Sequence, residues 1–184
     1  MDSSRSAGGP DATTSNHHNA ALARAKHPRT PLAGPYGHPF HPILVTVPIG
    51  AWVASVVFEL VALVNSEEEA VFAEGAYWLI GLGILGALAA ALFGLLDLSQ
   101  IERGTPAFKT GLTHMALNLA VVALFVVNFL VRAAEGYEEA TTLGFVLSLI
   151  AVALLGASGW LGGKLAYHYG VRVADQQHQL QGYR

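Results

Sequence analysis

The 184-residue chain contains no cysteine. That absence excludes disulfides, thiolate nucleophiles, iron–sulfur clusters and Cys-ligated zinc together. Charge is also scarce. Asp, Glu, Lys and Arg make up 12% of the residues, against ~25% in an average soluble domain. Thirteen acidic and ten basic residues leave a net charge of −3, so no basic surface is available for a phosphate backbone and no nucleic-acid partner is expected. No GxSxG nucleophile elbow occurs. The nearest run, GASGW at 156–160, lacks the strand–turn–helix setting that motif needs. The expectation is therefore a protein with no catalytic activity of its own beyond electron transfer in a membrane. What the chain does have is apolar surface: 53% of its residues are hydrophobic and the mean hydropathy is +0.44. That excludes both an ordinary soluble domain and a disordered chain. The length fits one domain. Eight histidines remain, and they carry most of the functional information.

The apolar residues fall into four runs. Residues 1–36 read as a disordered tail, rich in Ser, Thr, Gly, Asn and Ala and without apolar periodicity. The first apolar run begins near Ile43, too far along and too long for a signal peptide. Ile43 to Val64 holds one charge, Glu59, while Gly75–Leu96, Gly111–Val131 and Leu143–Gly163 hold none. Each run is about 20 residues, enough to cross a ~30 Å hydrocarbon core as a helix. Without water in that core, backbone groups must bond within their own segment, which selects helices. The expected fold is an all-α integral membrane four-helix up-down bundle. Its helices lie at about 41–64, 75–98, 111–132 and 143–167 within a domain at 37–173, followed by a short tail at 174–184.

Four spans place both termini and the loop between the second and third helices on one side. Arg5, Arg24, Lys26, Arg29, Arg103, Lys109, Lys164, Arg172 and Arg184 lie there, against Arg132 alone on the other. This bias predicts cytoplasmic termini in the inner (plasma) membrane, with the lipid bilayer as first partner. The outer loops, SEEEAVFAEG and RAAEGYEEA, are acidic. Tyr77, Trp78 and Tyr137 read as outer interfacial aromatics, and Tyr36, Trp160, Tyr167 and Tyr169 as inner ones. Glu59 and Arg132 fall near the outer helix ends and are read as a structural ion pair. Gly86, Ala90 and Gly94 form one small-residue stripe, and Gly156, Gly159 and Gly163 another. Both read as helix-packing faces, with room for a flat ligand as the alternative. Two hairpins, each with a His at its inner start and an acidic outer turn, resemble a repeat, but any up-down bundle looks the same.

The topology gathers polar residues at one depth. His38 and His41 enter the first helix on the inner side, Asp97 ends the second, His114 starts the third, and Tyr167 and His168 end the fourth. Ionisable groups in membrane spans usually face a bundle interior or cavity. His38 and His41 sit in HPFHP, where Pro39 and Pro42 demand an extended entry or a first helical turn. Pro48 predicts a kink. Asn118 lies one turn beyond His114 on the same face, and Asp97 could orient an imidazole by accepting its second N–H. His17, His18, His27 and His178 lie in the tails and read as solvated.

The segments HPFHPILVTVPIG (38–50), GLLD (94–97), HMALN (114–118) and GWLGGKLAYHYG (159–170) together resemble the bacterial four-helix membrane family of domains of unknown function number 2231. The resemblance implies a membrane bundle and no particular activity. By architecture the layout also resembles b-type cytochrome bundles, in which His from different helices hold haem. The leading expectation is a haem b or redox-cofactor module, with His38, His41, His114, Asn118 and Asp97 as cofactor-binding residues. Lys164 or the tail arginines would neutralise the propionates, and a redox protein would be the partner. The first alternative is a mononuclear zinc, iron or copper site built from His38, His41, His114 and His168. The second is a cofactor-free scaffold or accessory subunit; homo-oligomerisation stays open.

Overall fold

The computed structural model describes residues 12–27, Gly34 and residues 38–183. Arg5, Arg29, Tyr36 and Arg184 lie outside them. Helices are α1 (Ala12–Lys26), α2 (Phe40–Leu44), α3 (Thr46–Val64), α4 (Glu69–Leu98), α5 (Pro106–Glu135), α6 (Thr142–Gly163) and α7 (Gln176–Gln181). A π-helical turn, Lys164–His168, extends α6. There are no strands among the described residues. Four helical stretches are long and apolar enough to cross a membrane: Phe40–Val64, Glu69–Leu98, Pro106–Glu135 and Thr142–His168. Helix α3 packs on α4 and α6, and α5 packs on the same two. Helices α3 and α5 therefore face each other across the bundle axis.

The transmembrane helices run beyond their apolar stretches. Helix α4 begins at Glu69 and α5 spans Pro106–Glu135, because polar residues outside the hydrocarbon continue a helix once it is nucleated. Capping side chains set two of these starts. Thr105 accepts from the Phe108 amide at 3.1 Å with Pro106 behind it, and Thr141 accepts from the Gly144 amide at 3.1 Å. The expected kink of the first span is a break at Val45 between α2 and α3. Pro48 has no N–H to offer the Leu44 carbonyl, so the helical ladder is interrupted there.

Leu82, Leu85, Leu88, Leu92, Val57 and Leu130 are exposed on the outside of the bundle, as a lipid-facing surface requires. The core is thin and aromatic. Trp52 stacks on Phe125 at 4.4 Å and 11°, and Ile80, Val121 and Ala151 close around them. Tyr77 is a core residue rather than an interfacial one. It stacks on Phe129 at 4.3 Å and on Tyr137 at 4.9 Å. Trp78, beside it, is exposed and donates its indole N–H to Glu74 at 3.2 Å.

Part of the expected tail is ordered into a helix. Residues 12–26 form α1, and its last turn docks on the bundle end. Ala25 is buried with Ile101 and Val171, Arg24 pairs with Glu102 at 3.1 Å, and the Arg172 amide donates to the Ala25 carbonyl at 3.0 Å. The alanines at 20, 21, 23 and 25 favour a helix without any apolar stripe, which is why periodicity alone misses it. His27 and His178, taken as solvated tail residues, flank Asp175 at 3.7 and 2.7 Å while staying more than half exposed.

Asp175 also caps α7, accepting from the His178 amide at 3.0 Å. That bond, with the His178 side chain, holds the Asp175 carboxyl below the usual carboxylate range. A depressed pKa stabilises the cap above the ordinary carboxylate value, and the effect is lost as pH falls through the lower folded value. Protection of the Gln176–Gln181 amides, corrected for the intrinsic pH dependence of exchange, is therefore expected to fall on acidification through that range. Asp175→Asn should abolish the dependence; an unchanged acid profile in the variant would refute this assignment.

Candidate functional site

At the end of the bundle that carries the termini, two of the four expected positions meet. His41, on α2, and His114, on α5, have ring centroids 6.3 Å apart with perpendicular planes. Each ring is anchored through Nδ1 to a main-chain carbonyl. His41 Nδ1 lies 2.9 Å from the Ala90 oxygen on α4, and His114 Nδ1 lies 2.8 Å from the Ser158 oxygen on α6. A carbonyl accepts only, so Nδ1 carries a proton in both rings, and in the neutral form of each ring Nε2 carries the lone pair. The Ser158 hydroxyl also faces His114 Nδ1 at 2.9 Å and donates to the His114 carbonyl at 3.3 Å.

Asn118 takes the place expected for it, one turn along α5. Its amide nitrogen donates to the His114 carbonyl at 2.9 Å and reaches His114 Nε2 at 3.2 Å. Two glycines bring the neighbouring helices close enough to seat the rings. A Cβ at Gly94 would lie 3.1 Å from His41 Cε1 and Nδ1, and a Cβ at Gly162 would lie 3.2 Å from His114 Cε1. Gly94 in its stripe thus receives an imidazole, while Gly86 packs against Val47 and Pro48. The second stripe does not pack within the bundle. Gly156 and Gly159 face open space, so the expected packing role there is corrected.

The remaining candidates are not part of the pair. Asp97, expected to orient an imidazole, is bound instead by Arg172. The guanidinium donates through Nε at 2.7 Å and through Nη2 to the same carboxylate oxygen. Arg172 lies in the left-handed region at φ 60°, a conformation disfavoured for a side chain, and the ion pair and its amide bond to Ala25 hold it there. His38 is exposed at the entry to α2. His168 is exposed on the π turn, with its ring 4.8 Å from Tyr169. Among the described residues, no three His, Asp or Glu side chains form a group able to hold a metal ion. The expected four-position cluster is thus a two-histidine pair with Asn118. The imidazoles are held by the helices beside them, His41 by α4 and His114 by α6, whereas Asp97 is taken up by Arg172 and His168 lies against Tyr169.

Sequence reading did not point to Ser158 or to the Ala90 carbonyl, and Gly162 stood out only as part of the GWLGGKLAYHYG segment. Ser158 had a signal, since Ser148 and Ser158 are the only hydroxyl-bearing residues between Leu143 and Gly163. Ala90 stood out only as a member of its small-residue stripe; the role of its carbonyl had no signal, because any residue supplies one.

A second polar centre lies at the opposite end. Arg132 Nη1 donates to Glu59 Oε1 at 2.9 Å and Nη2 to the Ala73 carbonyl at 2.8 Å. Asn128 donates to the Gly144 carbonyl at 3.1 Å and to the Ser148 hydroxyl at 2.8 Å. Glu59 and Arg132 are 1% and 2% exposed. The expected ion pair is present, and it is fully enclosed rather than interfacial.

A family model described as "Predicted membrane protein (DUF2231)" matches residues 37–175, more than half of the chain. No curated protein and no solved structure matches.

Proposed function

The chain belongs to the DUF2231 family of predicted membrane proteins, and from that premise we propose that His41 and His114 would hold the iron of a b-type haem. The supporting observation is the pairing itself. Both imidazoles hold Nδ1–H on a main-chain carbonyl, the anchoring that fixes ring orientation and leaves Nε2 as the ligand atom. The two imidazoles would hold the iron together, which requires their rings to lie close to one another. The observed separation is 6.3 Å. Asn118 would yield Nε2 of His114 and keep its bond to the His114 carbonyl. Gly94 and Gly162 let α4 and α6 seat the two rings at close range, where a Cβ would press on them. Haem held in this way supplies one-electron chemistry.

The same reading places the pair near the cytoplasmic face of the plasma membrane. Arg24, Lys26, Arg103, Lys109, Lys164 and Arg172 gather at this end, with Arg132 alone at the other, and cytoplasmic ends carry the Lys/Arg excess. Lys164 is exposed there, suited to a haem propionate or to a redox partner protein.

Absorption spectra of the detergent-purified protein, oxidised and reduced, with metal analysis of the same sample, test the proposal. We expect a Soret band that shifts on reduction, one iron per chain, and loss of both in His114→Ala at unchanged helix content. His38→Ala should leave the spectrum intact. A stoichiometric metal without porphyrin absorbance would select the single-ion reading. Neither signal, after expression with haem precursor, would leave a cofactor-free membrane scaffold.

A further inference from the structure

An open groove of about 270 Å³ lies where α4 passes into α5, at the end of the bundle that carries the termini. Leu95, Leu98, Ser99, Ile101, Arg103 and Phe108 line it. Leu98, Ile101 and Phe108 belong to the cluster that also holds Ala25 and Val171, so packing fixes this part of the wall. Leu95 is half exposed, as are Leu92 and Leu96 beside it, so the apolar wall continues into the lipid-facing surface. The volume falls just below the ~300–1,000 Å³ of small-molecule sites. An open groove of that size suits one end of a molecule whose remainder lies in the bilayer.

The charge at the groove is of one sign. Asp97 and Glu102, the carboxylates nearest in sequence, are both engaged. Arg172 holds Asp97, and Arg24 holds Glu102 at 3.1 Å with His17 at 3.5 Å. The Ser99 hydroxyl is also in use, donating to the Leu96 carbonyl at 2.6 Å and accepting from Gln100 at 2.7 Å. The side chains of Arg103 and of Lys109, next to Phe108, are exposed and have no ion pair or hydrogen bond among the described residues.

We propose that this groove binds one anionic glycerophospholipid, with its phosphate on Arg103 and its first acyl methylenes along Leu95, Leu98 and Phe108. A guanidinium matches a phosphate with two parallel hydrogen bonds, and basic pockets between membrane helices take anionic lipid heads. A zwitterionic lipid brings a cation of its own, which would face Arg103 and Lys109 with no free carboxylate to receive it. A free anion would leave the apolar wall unused. Phosphates lie at both faces of a bilayer, so the site depends neither on which side the termini occupy nor on the histidine pair.

Native mass spectrometry of the full chain, released from nanodiscs of equal parts phosphatidylglycerol and phosphatidylcholine, tests the site. One phosphatidylglycerol per chain is expected, retained several-fold over phosphatidylcholine. Arg103→Gln should abolish the preference, and Leu95→Trp, which fills the groove with an indole while keeping the charge, should abolish retention. Retention unchanged in Leu95→Trp would mean attraction by surface charge alone and overturns the proposal. Displacement of the lipid by millimolar inorganic phosphate would mark a free-anion site and overturns it too. Equal retention of the two lipids by the wild-type protein overturns it whether or not the variants fold.

Discussion

Arg132→Met is expected to destabilise the bundle by about 3–5 kcal/mol, the cost of leaving a buried charge without its partner. Glu59 is 1% exposed, and Arg132 Nη1 is its hydrogen-bonding cation at 2.9 Å. Removing the cation strands the carboxylate and also frees the Ala73 carbonyl that Nη2 caps. Glu59→Leu should act in the same direction, because the guanidinium then lacks its carboxylate. The double variant Glu59→Leu/Arg132→Met separates mechanism from mere perturbation. Apolar replacement of both partners removes the desolvation penalty along with the attraction, so most of the loss should be recovered. Denaturation of helix content in mixed micelles reads all three. A single-variant loss under about 1 kcal/mol would identify the pair as one of surface type and refute the enclosed geometry.

Gly83→Val is expected to disrupt the aromatic core, and even Gly83→Ala should cost about 1–3 kcal/mol by overpacking. A Cβ at this position would lie 2.2 Å from Trp52 Nε1 and 2.5 Å from Cδ1. The indole cannot simply swing away. It stacks on Phe125 at 4.4 Å, and its N–H donates to the Ile80 carbonyl at 3.3 Å. Moving it breaks the stack and strands an indole N–H in a dry core. The control is Gly50→Ala, also within a helix, where nothing lies within 4 Å of the new methyl. There the helix preference of alanine, up to ~1 kcal/mol, acts unopposed and should stabilise. Unfolding midpoints compare the two, and Trp52 fluorescence in a Trp78→Phe/Trp160→Phe background reports the displacement. Equal effects at Gly83 and Gly50 would refute the close packing of α3 on α4.

Some of the site was legible before any tertiary structure. His114 and Asn118 are four apart on one helix, and that spacing alone puts them on one face. The entry His-Pro-Phe-His-Pro placed His41 at the right depth because prolines confine it to the start of a span. The Glu59–Arg132 pair followed from two ions at matching heights in otherwise apolar helices. Depth, though, does not report rotation. Asp97 shares the depth of the histidines, yet its carboxylate is bound by Arg172 from the C-terminal segment. His168 shares it too, but the π turn leaves its ring against Tyr169. Gly156 and Gly159 have the spacing of a packing face and meet open space.

A four-span all-α membrane bundle, its charge asymmetry and the end at which the histidines lie all follow from the order of amino acids. Those properties add up along the chain, since span length and hydropathy depend on each segment separately. The pairing of His41 with His114, their orientation by the Ala90 and Ser158 carbonyls, and the closing of one buried centre by Glu59, Asn128 and Arg132 emerge once the helices are packed. These depend on the rotation and approach of whole helices. Close packing at Gly83, Gly94 and Gly162 sets that approach, and the contacts on both sides of each glycine come from residues far apart in sequence.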